Sequence, residues 1–124
     1  MQCFSSLVLV YLLILTGLSA DDLASPVPFE RLTFHKGPVP LAKESTTNDW
    51  PRFNGPTDNA ISIEEPLIKK WLPAGPTLLW EVKKGEGYSS PGIKGERLVL
   101  FHRLNGKETV ECLHPESGKL YWSY

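Results

Sequence analysis

Several residue groupings in this 124-residue chain carry chemistry, and each has a plainer reading beside it. His35, His102 and His114 are imidazoles able to bind a metal. They share no metal-ligand spacing, so each reads as a surface or strand-end residue. The stretch GEGYSSP at 85–91 has the glycines and serines of a nucleophile or phosphate loop. It lacks both Gly-x-Ser-x-Gly and a Gly-Lys-Ser ending, and a turn entering a strand accounts for it better. Asp58-Asn59 has the oxygens for a cation but suits an Asx-type turn. Glu64-Glu65 and Lys69-Lys70 read as a solvated charged turn. Trp80 and Trp122 would make a sugar-stacking platform if they met, although their matched surroundings favour packing. Cys112 lies in an apolar strand pattern and reads as a small buried hydrophobe rather than a nucleophile.

Composition narrows the field. The first twenty residues, MQCFSSLVLVYLLILTGLSA, hold no charged side chain. An apolar run from Leu7 to Leu15 breaks at Thr16-Gly17 before the small-residue site Leu18-Ser19-Ala20, the form of a secretory signal peptide over 1–20. A retained anchor is the rival, but the run falls short of the ~20 apolar residues that span a bilayer. The expectation is export to the periplasm or the extracellular space, with no membrane association after cleavage. The remainder holds 13 basic against 14 acidic residues. That balance argues against nucleic acid, which needs a clustered basic surface. Cys3 leaves with the leader, so no internal disulfide is expected.

Residues 21–48 contain prolines and polar clusters without a sustained period of 2 or 3.6, and are expected to form a disordered linker. Residues 49–77 spread Trp50, Phe53, Ile61, Ile63, Leu67, Ile68 and Trp71 among turn formers. They are expected to form an ordered, irregular lead-in that packs its aromatics on a neighbouring body, with one helical turn around Leu67 to Trp71. From Leu78 onward short runs of Val, Leu, Thr and aromatics alternate with Gly, Pro, Asn and Ser, the pattern of a meander of antiparallel strands. Asn105-Gly106 is the strongest hairpin signal.

Two features sharpen this architecture. Leu98 to Phe101 is continuously apolar, so both faces of the sheet want cover. PTLLWEV at 76–82 also aligns with GKLYWSY at 118–124, placing Trp80 over Trp122 at an offset of 42 residues. A period of about 40 to 45 residues carrying four strands is that of a propeller blade. The expected strands are Tyr88 to Lys94, Arg97 to Arg103, Glu108 to His114 and Lys119 to Tyr124. Leu78 to Lys84 would be the outer strand of a second, ring-closing blade. The predicted fold is therefore all-β: one four-stranded antiparallel blade plus a closing strand over 78–124, a fragment of a propeller whose other blades are its partners.

CLHPESGKLYWSY resembles the blade-ending repeat of PQQ-like (pyrroloquinoline-quinone-type) β-propellers, Ala-x-Asp-x-x-Thr-Gly-x-x-x-Trp, with Gly118 and Trp122 matching outright. Cys112, His114 and Ser117 stand at the other three places. DWPRFNGPTDN is similar to the lead-in of secreted bacterial members, with Asn54 where Arg is usual. GEGYSSP followed by GERLVL is similar to their first inner strand and the strand after it. The resemblance makes Trp80, Gly118 and Trp122 structural motif residues, the Trp docking between blades and the Gly allowing a turn. It implies a binding or scaffold role toward a protein or carbohydrate ligand. A second implication is a fragment of a quinone-dependent alcohol or polyvinyl-alcohol dehydrogenase, whose PQQ and Ca²⁺ would belong only to the full-length protein. No Cys-Cys pair occurs, and Asp21, Asp22, Asp49 and Asp58 all lie in the linker or lead-in. No catalytic, cofactor-binding or metal residue is therefore assigned in this chain. A third reading is a stand-alone secreted β module that binds carbohydrate.

Overall fold

The computed structural model describes residues 24–124, so the expected leader over 1–20 lies outside the described residues. The chain is all-β, with six strands and no helix among the described residues. β1 (Leu32–Phe34) and β2 (Trp80–Val82) form a two-stranded antiparallel sheet. β3 (Gly92–Lys94), β4 (Arg97–Leu104), β5 (Lys107–Leu113) and β6 (Leu120–Ser123) form a four-stranded antiparallel meander in chain order.

The hairpin between β4 and β5 is the one Asn105-Gly106 predicts. Leu104 pairs with Lys107, and the two turn residues take φ of 51° and 79°. Positive φ at both positions gives the turn the twist of its flanking strands, and Asn and Gly adopt it at low steric cost. The first strand of the meander is shorter than expected, beginning at Gly92 rather than at Tyr88. Pro91 has no N–H to offer a ladder, which confines pairing to the residues after it.

Two expectations over the first half are corrected. Residues 21–48 were expected to be unstructured, yet β1 lies within them, with Leu32 opposite Val82 and Phe34 opposite Trp80. A three-residue strand cannot show a periodicity of its own; β2 supplies the ladder that makes it a strand. The helical turn expected around Leu67 to Trp71 is absent, and that stretch bends without helical hydrogen bonds. Pro66 and Pro73 bracket it too closely for helix nucleation to be offset.

The apolar run in β4 resolves into strict alternation. Leu98, Leu100 and His102 are buried, whereas Val99, Phe101 and Arg103 are exposed. Leu98, Leu100 and Leu113 form the core, covered by Phe29, Trp80, Val82, Ile93 and Leu120. The two-stranded sheet thus lies over one face of the meander. Single backbone pairs also tie both flanks of the meander to earlier segments: Val27 to Leu120 on β6, and Trp50 to Ile93 on β3.

Trp80 and Gly118 hold the two sheets together at close range. The Trp80 indole Nε1–H donates to the Pro115 carbonyl at 2.9 Å. A Cβ on Gly118 would lie 2.6 Å from the Trp80 ring and 2.7 Å from a methyl of Leu32, and Gly118 has φ of +67°. Both space and backbone therefore require glycine. Gly118→Ala is expected to lower stability by roughly 2 to 4 kcal/mol. Gly37→Ala, where an added Cβ meets nothing within 4 Å, should stay within about 0.5 kcal/mol. Urea melts of the two variants check the contrast, and equal losses would refute it.

Candidate functional site

Two places in the fold have the makings of a site: a polar cluster sealed between the sheets, and the uncovered face of the meander. The cluster follows from strand parity. His102 shares the inward face of β4 with Leu98 and Leu100, and β5 places Glu111 opposite Leu100. His102 is 1% exposed and Glu111 2%. Arg31, immediately before β1, reaches across the seam. One guanidinium nitrogen pairs with Glu111 Oε1, and the other donates to the Lys83 carbonyl at 2.7 Å. The guanidinium also lies 5.0 Å from the Phe29 ring centre, within cation–π range.

His102 is oriented from its other side. The Gly85 N–H donates to its Nδ1 at 2.8 Å. That donor assigns the ring proton to Nε2, which lies 3.2 Å from Glu111 Oε2. The distance suits a hydrogen bond but the direction does not, and neither atom has a partner that satisfies hydrogen-bond geometry. The two atoms are therefore close neighbours without an aligned hydrogen bond. A Cβ on Gly85 would strike the Arg103 carbonyl, so only glycine brings this N–H to the ring.

His102 and Glu111 lie almost wholly out of solvent, and Arg31 and the Gly85 N–H hold the arrangement in place. The surface or strand-end placement expected for the histidines is overturned at His102, which is core. His114 accepts from the Glu116 N–H at 3.2 Å and stacks on Tyr121 with ring centres 6.1 Å apart. His35 contacts Glu81 at 3.0 Å in an exposed position. Sequence reasoning missed Arg31 and Glu111. Parity was the available signal: in ETVECLH, Glu111 alternates in step with Leu113.

The other face of the meander carries Val99, Phe101, Val110, Cys112 and Trp122. Val99 lies opposite Cys112, which lies opposite Trp122, and Phe101 lies opposite Val110. Phe101 is 45% exposed and Trp122 39%. A register shift between Cys112 and Leu113 lets Tyr121 join this face, where Arg97 stacks on its ring at 4.1 Å. Cys112 is buried within the row, as its apolar surroundings suggested. Burial pushes its thiol above the ordinary value of 9.0, with nearby Arg97 opposing in part.

The lead-in motif explains itself locally. Asp49 accepts from the Gly95 N–H at 2.7 Å, and the Trp50 ring lies where a Cβ on Gly55 would be. Arg52 bonds the Pro56 carbonyl and pairs with Asp58 at 2.6 Å. Asn59 accepts from the Ile61 N–H at 3.0 Å, the Asx turn expected at Asp58-Asn59. Of the lead-in aromatics, Trp50 is half-buried with its ring over Gly55 and its backbone paired to Ile93, whereas Phe53 and Trp71 are exposed.

Of the motif residues, Trp80 and Gly118 come together, while Trp122 stands on the opposite face. The two tryptophans thus form no shared platform for a sugar. Asp49 and Asp58 are engaged in turns, Cys112 is single and buried, and among the described residues no three His, Cys, Asp or Glu side chains converge as metal ligands. No family model, curated protein or solved structure matches the chain.

Two predictions follow from the burial of these groups. Arg31→Met strands a buried carboxylate and is expected to cost about 3 to 5 kcal/mol, with Arg31→Met/Glu111→Leu recovering more than half. Urea melts measure both, and a loss under about 1 kcal/mol for the single variant would contradict the ion pair's role. For Cys112 the sign is set by the raised thiol. The unfolded chain ionises first, so the stability this group contributes is complete below 9.0 and lost as pH rises beyond it. Relative to Cys112→Ala, the native chain should lose urea resistance above that pH. A pH-independent difference would contradict this.

Proposed function

We propose that this chain is the first blade and part of the closing blade of an exported PQQ-like β-propeller that binds or scaffolds other molecules, with no catalytic step assigned to its own residues. The observation that carries the reading is the asymmetry of the meander. One face is packed by a second sheet, and the other presents Val99, Phe101 and Trp122 exposed, with Val110 half-buried among them. An apolar sheet face of this kind is stable only against another layer. In a propeller each blade lies between two others, so both of its faces find cover.

The chain-order meander, its 42-residue echo between Trp80 and Trp122, and the pairing of β2 outside the meander all support the same reading. The absence of catalysis from the proposal rests on chemistry at the seam. Its His102 and Glu111 side chains are buried, Arg31 pairs with Glu111, and the uncovered face is largely apolar.

The test is a photo-crosslinking phenylalanine analogue in place of Phe101 in the complete gene product from exporting cells. The expected adduct lies within the same polypeptide, on another four-stranded repeat. A product that is monomeric at this chain's length and gives no adduct would sink the proposal, as would an adduct to a foreign protein alone.

A further inference from the structure

We infer that the loop over 66–75 is a contact site for an anionic lipid surface. This departs from the expectation of no membrane association, and it uses none of the residues of the meander's uncovered face. Leu67, Ile68, Trp71 and Leu72 are all exposed, Trp71 at 56% and Leu72 at 77%. Lys69 and Lys70 sit between these apolar pairs, also exposed, and take part in no ion pair among the described residues.

The loop is presented rather than slack. At its base Thr46 and Glu65 pair through both backbone groups, at 2.6 and 3.3 Å. At its far end the Gly75 N–H closes a turn onto the Leu72 carbonyl at 2.8 Å, with Gly75 at φ +76°. Of the two acids before the loop, Glu64 accepts from the Asn48 N–H at 3.1 Å and contacts the Ser62 hydroxyl at 3.4 Å, while Glu65 is exposed and pairs with neither lysine. Two cations thus stand among apolar companions without an ion-pair partner among the described residues.

That composition selects the occupant. A layer of packed protein would have to desolvate two unpaired ammonium groups, which is unfavourable. A bilayer surface requires no such step. Leucine, isoleucine and the indole enter the headgroup–acyl boundary, the indole being the side chain most at home there. The lysine stems follow them while the ammonium groups remain among lipid phosphates. The uncovered sheet face offers the contrast, having the same apolar character and no lysine among Val99, Phe101, Val110 and Trp122.

The experiment uses the protein as released by exporting cells, floated with vesicles of phosphatidylcholine alone or mixed with phosphatidylglycerol. Binding is expected to the mixed vesicles and to weaken in high salt. Lys69→Gln/Lys70→Gln should reduce partitioning roughly thirtyfold on the mixed vesicles and little on neutral ones, at about fivefold per lysine near an anionic surface. Trp71→Ser/Leu72→Ser should abolish binding. Val99→Thr/Phe101→Ser, which alters the uncovered sheet face, should leave it intact. Because the loop side chains are exposed, its variants retain the fold, verified by a Cys112 thiol that stays unreactive until urea is added. No binding to mixed vesicles, binding unaffected by the loop variants, or binding lost only in the sheet-face variant would each overturn the inference. The crosslink at position 101 is independent of all three results.

Discussion

A carboxylate buried between two sheets governs how this molecule is put together. Glu111 stands on the core face of β5 among leucines, where an unpaired charge would be strongly destabilising. Arg31 supplies the counter-charge from just before β1 and simultaneously bonds the Lys83 carbonyl just after β2. One side chain therefore joins three elements. Slipping β1 along β2 by one residue would withdraw the guanidinium and turn Leu32 away from Gly118. The ion pair acts on arrangement more than on net stability, since its electrostatic gain is set against the desolvation of both partners.

Around this seam the packing is ordinary. Leu98, Leu100 and Leu113 meet Trp80 and Val82, and the Gly85 N–H fixes the ring of His102 behind Glu111. The small size of the core reflects its one-sidedness. Only one face of the meander meets the second sheet, and Val99, Phe101 and Trp122 of the other face remain at the surface.

The strand order of the meander was legible because its signals are local: Asn105-Gly106 dictates a hairpin, and Gly118 permits the turn before β6. The burial of Cys112 and the Asx turn at Asn59 were legible for the same reason. β1 was not, because LTF becomes a strand only when β2 lies beside it, 46 residues further along between Phe34 and Trp80. The buried cluster was half legible. Parity places His102 and Glu111 inward, but nothing near them in sequence points to Arg31, and polar residues in a strand are ordinarily assigned outward. The lead-in misled in the opposite direction, since its aromatics suggested burial that Trp50 achieves only in part and Phe53 and Trp71 not at all.

The close approach of Trp80 to Gly118 also bears on how such a chain diverges. The indole fills the volume that any side chain at 118 would need, so neither position can drift by itself. Enlarging one demands shrinking the other in the same lineage. Related chains should accordingly show substitutions at 80 and 118 as linked events, while a position with no such shared volume, such as Gly37, varies freely.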